Sequence, residues 1–165
     1  MKEIHKGGTA MAIVKFYNCD PKDAPKTTMP AHLGANAIIT CNGKLLLEKR
    51  RDSDIWGMVG GGCKKTETGL DAIVREVYEE LGLRIPRDRF RKLAVYDNPG
   101  RIAAYRDGSI WRMVIVVYGL EFEEEPQMRI SSESKDLRFF TKEELKDIEI
   151  AITHADIVEE LFMNR

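Results

Sequence analysis

The chain has 165 residues, 43% of them apolar and 32% charged, proportions that fit one folded domain and exclude a disordered tract. Its 26 Lys and Arg nearly balance its 27 Asp and Glu, and a net charge of -1 argues against a generic polyanion binder or a long nucleic-acid footprint. Cys19, Cys41 and Cys63 stand singly with no CxxC pair, so neither a disulfide framework nor a zinc site is expected; with no apolar run of ~18 residues and no apolar signal core, no membrane partner is expected and cytoplasmic residence is the default.

Residues 1–30 read as an arm, with a strand over 11–17 and then the proline-rich loop NCDPKDAPKTTMP. Such an arm either packs on the domain or contributes to a homodimer. Residues 31–165 read as the domain proper. A strand is predicted over 35–41, a two-residue turn at Asn42-Gly43, and a return strand over 44–50. The polar loop 51–54 leads through Trp56-Gly57-Met58-Val59 into a run of glycines. A helix follows, ending at Gly82, where a left-handed cap favours glycine. Residues 87–96 read as loop then strand, and Asp97-Asn98-Pro99-Gly100 as a turn. The β-branched and aromatic stretch 110–122 predicts a long central strand. Residues 131–136 read as a polar loop and 137–140 as a short strand. Thr141-Lys142-Glu143-Glu144 is a capping box opening a helix, and a last amphipathic helix is expected over 154–163. Strand pairs with helices at either end of the central region predict an α/β (α+β) sandwich on a mixed sheet.

The helix after the glycines carries the chemistry. Leu70, Ile73, Val74, Val77 and Leu81 repeat with helical spacing and predict a buried stripe, leaving the acids at the edge of a cleft. Glu76, Glu79 and Glu80 fall within about a third of the helix circumference at ~100° per residue. Like charges so placed weaken a helix by a few tenths of a kcal/mol, a cost that a divalent cation between them would offset. All-oxygen ligands suit Mg2+ or Mn2+.

Gly61, Glu67, Arg75-Glu76-Val77, Glu79-Glu80 and Gly82-Leu83, with five, seven, one and one residues between them, resemble the Nudix box of MutT-like pyrophosphohydrolases. The resemblance implies a mixed sheet between helices, with the box forming loop, helix and loop. It implies that Glu76, Glu79 and Glu80 bind metal, with Glu76 as ligand or base, and that the backbone of Gly60 completes the coordination. Arg75 and Glu67 match the family's structural ion pair, which braces the loop and orients the carboxylates. Glu133, in the loop before residues 137–140, resembles a late loop acid that reaches back to the metals. Glu76, Arg75, Glu67 and Glu133 thus form the expected catalytic set.

Three further residues are candidates for substrate contact. Arg50 aligns with a basic residue that meets phosphate in relatives, or is a solvated strand end. Trp56 either packs in the core, its usual role in the family, or stacks on a base. Lys64 stands where many members carry Glu; it either meets a phosphate as a point charge or is an exposed loop lysine. Val59 and Thr66 also replace the usual Pro and Gly, and these departures bear on metal number more than on activity. The implied reaction is Mg2+-dependent attack of water on a phosphoanhydride of a nucleoside diphosphate derivative or a nucleoside triphosphate. The competing reading is a catalytically silent module of the same fold that senses a nucleotide metabolite.

Overall fold

The computed structural model describes residues 13–51 and 54–165. The first strand, β1 (Ile13–Asn18), is followed by β2 (His32–Cys41), β3 (Lys44–Arg50), β4 (Trp56–Gly57) and β5 (Val59–Gly62). Then come α1 (Gly69–Leu81), β6 (Arg91–Tyr96), β7 (Arg101–Tyr105), β8 (Ile110–Phe122) and β9 (Ser134–Phe140). The chain ends with a single turn, α2 (Lys142–Leu145), and with α3 (Ile152–Val158), which widens into a π turn at Glu159–Met163.

One mixed sheet carries these strands. Its parallel pair is β2 with β8, in register from His32–Met113 to Cys41–Phe122; the other pairings between its strands are antiparallel. Period-two alternation sorts the side chains onto two faces. Ala35, Ala37, Ile39, Leu46, Val116, Tyr118 and Leu120 pack with Ile73, Val77 and Leu81 of α1. Ile38, Leu45, Leu47, Ile115 and Val117 pack with Ile157, Val158, Leu161 and Phe162 at the C-terminus. The result is the expected sandwich of helices on a mixed sheet.

Where the sheet divides, the site forms. Residues 34–37 of β2 pair with β5, whereas Thr40 and Cys41 pair with β3. From there β3 leaves with β4 and β9 as neighbours. On that side α1 packs against β2, Leu46 of β3 and Val59 of β5.

The elements depart from the sequence reading in a few places. No strand was expected at β7, a five-residue stretch (RIAAY) between Gly100 and the Asp107-Gly108 turn that is too short to show a period. It pairs with both β1 and β8. β9 begins at Ser134 rather than 137, because Lys49 and Arg50 on β3 pair with Asp136 and Ser134. The last helix begins at Ile152, two residues before the expected 154. In the arm, β1 pairs along β7, and the Thr28 and Met29 N–H groups donate to the Ile110 carbonyl. The expected start of the first strand at 11 and the remainder of the arm lie outside the described residues.

Candidate active site

α1 begins with a capping box. Thr68 Oγ1 accepts from the Asp71 N–H at 3.2 Å, and the Asp71 carboxylate accepts from the Thr68 N–H at 2.9 Å. The helix closes at Gly82, in the left-handed region at φ 73°. Between these caps the orientation differs from the one the apolar stripe predicts. Ile73, Val77 and Leu81 are buried, but so is the adjacent row Ala72, Glu76 and Glu80, while Leu70 and Val74 are only partly covered. Glu76 and Glu80 are 2% and 8% exposed. They lie inside the helix–sheet interface, and Glu79 alone of the three is open to solvent.

Three groups meet Glu76 and Glu80 there. Gly61 pairs with Ala35 and faces the helix; a Cβ on it would come within 2.6 Å of Glu76 Oε1 and displace that carboxyl. Gly60 sits at φ 144°, and a Cβ there would meet the Ala35 carbonyl oxygen at 2.2 Å. Its N–H donates to Glu80 Oε2 at 3.0 Å. The third is Glu48 of β3, whose carboxyl lies within hydrogen-bonding reach of Glu80.

Arg75 gathers the remaining acids. Its Nε and one terminal nitrogen grip Glu67 in a bidentate pair at 2.6 and 2.9 Å. The other terminal nitrogen donates to Glu76 Oε1 at 2.7 Å and to Glu79 Oε2 at 3.1 Å. A further bond reaches the Gly62 carbonyl at 3.1 Å. Hydrogen bonding to Arg75 holds the Glu67 carboxyl below the usual range, and Glu67 in turn stabilises the guanidinium charge. Glu67 Oε2 also accepts from the Lys64 N–H at 2.8 Å, closing the loop.

One atom in this network is orphaned. Glu76 Oε2 is buried without a hydrogen-bond partner, a costly arrangement for an anionic oxygen. The donor set around it is hard oxygen: Glu76, Glu79, Glu80 and the backbone of Gly60. That chemistry fits Mg2+ or Mn2+. Among the described residues no three acidic, histidine or cysteine side chains converge into a ready coordination shell. Arg75 bridges Glu76 and Glu79, and Glu80 is turned towards Gly60 and Glu48, so a cation would draw these carboxylates from partners they already hold.

The other sequence candidates separate. Glu133 is exposed in the turn before β9, with its carbonyl accepting from the Arg51 N–H at 2.8 Å. Its charge and that of Arg50, at the end of β3, both act on the Glu48 carboxyl. Lys64 is exposed on the box loop. Trp56 is not at the cleft: it is 8% exposed, packs edge-on to Phe140 at 4.8 Å, and belongs to the core on the α3 face. Its expected role in substrate contact is therefore corrected to packing, because the ring face a base would need is taken up by protein.

Sequence reasoning passed over Glu48, which is 5% exposed. The Ser134 hydroxyl donates to its Oε1, and burial pushes its carboxyl above the usual range. A signal was available. On β3, Leu45 and Leu47 face α3 and Leu46 faces α1, so alternation places Glu48 on the α1 side, beside the box.

Residues 30–161 match the NUDIX domain. The chain belongs to the Nudix family. It is 28% identical over 144 residues to an "ADP-ribose pyrophosphatase" of Methanocaldococcus jannaschii, covering 84% of this chain and 79% of that protein. Over 86 residues it is 30% identical to a "MutT-like protein" of Streptomyces ambofaciens, and here the match spans 52% of this chain and about half, 54%, of the relative. Among solved structures, a MutT NUDIX hydrolase from Burkholderia pseudomallei superposes with a TM-score of 0.60 at 26% identity, over 81% of this chain and 98% of that one.

Proposed function

We propose that this Nudix domain is a Mg2+- or Mn2+-dependent pyrophosphohydrolase. It cuts the phosphoanhydride of a nucleoside diphosphate linked to another moiety, or of a nucleoside triphosphate. The observation that carries this is the orphaned Glu76 Oε2, buried in a cluster of box carboxylates none of which has been lost. Glu76, Glu79, Glu80 and the Gly60 backbone would hold the ion, which when bound neutralises phosphate oxygens and lowers the pKa of a bound water.

The chain's own residues supply the rest. Arg75 and Glu67 clamp the loop to the helix and fix where Glu76 and Glu79 point. Gly60 and Gly61, lacking side chains, let the loop backbone approach the carboxylates. Glu133, exposed in the turn before β9, would accept the proton of the attacking water, a role for which Glu76 is the alternative. Arg50 and Lys64 would offer positive charge for substrate phosphates. The M. jannaschii relative's description as an ADP-ribose pyrophosphatase favours a sugar-linked nucleoside diphosphate as the first substrate to test.

The test is turnover of a panel of nucleoside diphosphate derivatives and triphosphates with Mg2+, read as phosphate released after phosphatase treatment. Glu79→Gln and Glu80→Gln are each expected to lower kcat on the order of 10²–10³-fold, the size of losing one preorganised charge-stabilising group. Tight nucleotide binding by the unaltered protein with no turnover of any panel member would instead establish the sensor reading.

A further inference from the structure

Glu48 is not part of the box, and the reading above gives it no task. It is nonetheless the most buried acid outside α1 among the described residues, at 5% exposure. Its surroundings are built rather than incidental. Ser134 donates to Glu48 Oε1, and Ser134 Oγ also lies 3.1 Å from Ser131 Oγ. Ser131 Oγ accepts from the Glu133 N–H at 3.3 Å. Arg51 ties the same turn to the end of β3, with its N–H on the Glu133 carbonyl and its guanidinium on the Ser134 carbonyl. Glu48 also lies within hydrogen-bonding reach of Glu80, whose Oε2 accepts from Gly60. Polar contacts therefore run from the turn carrying Glu133, through Ser134 and Glu48, to Glu80 and Gly60.

We propose that Glu48, held by Ser134, is a positioning residue that sets the orientation of Glu80 and keeps the Glu133 turn opposite the box helix. The proposal rests on the metal-dependent reading above and names the residue that prepares that site. Glu80 has rotatable bonds that α1 alone does not restrict; contacts with Glu48 and with the Gly60 N–H favour one orientation. An apolar residue at position 48 would satisfy strand packing equally well. A buried acid there, in reach of a box carboxylate and bonded to a serine from the facing turn, is explained by alignment of that carboxylate.

The closing experiment uses Mn2+ alone as the probe, with the full chain and no nucleotide. Free Mn2+ is measured by electron paramagnetic resonance across a titration of the unaltered protein, Glu48→Leu and Ser134→Ala, with thermal melts of the metal-free proteins in parallel. Glu48→Leu, which removes the polar partner of Glu80 and keeps the bulk, is expected to weaken Mn2+ binding by about 10–100-fold, as loss of an outer partner of a metal ligand does, with the metal-free melt retained. Ser134→Ala keeps the acid but frees it and is expected to move affinity the same way by a smaller factor; it decides the matter should Glu48→Leu fail to fold. Mn2+ affinity within twofold of the unaltered protein in the folded variants overturns the proposal while leaving the metal-dependent reading intact. Failure of the unaltered protein to bind Mn2+ overturns both.

Discussion

Two arginines sit on opposite faces of the sheet and do opposite things. Arg75 on α1 gathers three carboxylates and a carbonyl at the mouth of the cleft. Arg101 on β7 is 1% exposed and holds α3 through the Thr153 carbonyl and, at 2.6 Å, Asp156. Its Nε has no partner, and its guanidinium lies 5.5 Å from the Tyr96 ring centre. Arg75 thus organises more negative charge than it neutralises, which leaves the cluster receptive to a cation. Arg101 serves one half-exposed acid and one carbonyl, so its work ends with fastening the C-terminal helix. The comparison separates charge arranged for chemistry from charge arranged for cohesion.

The sharpest way to break it is to remove Asp156. Asp156→Ala leaves Arg101 buried without its counter-ion, and losing one partner of a buried pair is strongly destabilising. Because Asp156 is 45% exposed on its side chain, the expected loss is at the low end, about 3 kcal/mol, read from urea unfolding. Turnover per folded molecule should stay unchanged. A drop in kcat at full foldedness would mean that the α3 face reaches the chemistry.

His154, next on that face, gives a pH-dependent version of the same test. Its Nδ1 accepts from the Met58 N–H at 3.1 Å, so α3 also grips the stretch that leads into the box. Burial first, and then the charge of Arg101, lower its pKa from 6.5 to about 4. The folded state therefore favours the neutral ring. Its contribution is complete above pH 6.5 and is lost progressively as pH falls towards 4, where both states are protonated. At 1.36 kcal/mol per pH unit the loss is roughly 3 kcal/mol as an upper bound, since the ring keeps some contact with solvent. The stability gap between the unaltered protein and His154→Gln, measured from pH 7.5 to 4.5, should narrow by that order.

On the other face, Arg75→Lys keeps the charge but loses the fork that spans Glu67, Glu76 and Glu79. Activity is expected to fall about 10–100-fold, with a change in stability too small to account for it. Equal losses in melting temperature and turnover would place Arg75 with Arg101 as a fastener.

The asymmetry between the faces also explains what could be read in advance. Box spacing exposed Arg75 and its acids because a helix converts sequence intervals directly into angles. The β2–β3 hairpin was equally legible, since Asn42 and Gly43 both adopt positive φ as its turn requires. Arg101 was invisible: it lies in a five-residue strand without periodicity, and its partners are 52 and 55 positions away. Glu48 was hidden differently, by a strand alternation that was available but had to be followed across the sheet to α1. The burial of Glu76 and Glu80 was missed because an apolar stripe locates the centre of a buried face and not its width. Ala72, small and adjacent, widens that face by one row and lets the carboxylates under the helix.

The smallest expected effect tests where the cleft ends. Lys64 lies on the box loop, and its backbone N–H already anchors Glu67, a bond that any residue but proline supplies. The side chain is exposed, so an ion pair with a substrate phosphate would be screened and worth at most about 1 kcal/mol. Lys64→Ala should therefore leave kcat and stability alone and raise KM by at most about fivefold, more at low salt than at high salt. Lys64→Pro removes the N–H as well and should act like loss of Glu67, lowering kcat. If Lys64→Ala lowered kcat as much as Arg75→Lys does, the loop lysine would be contacting the reacting phosphate, and the boundary between the charge that binds substrate and the charge that organises the acids would have to move outward to include it.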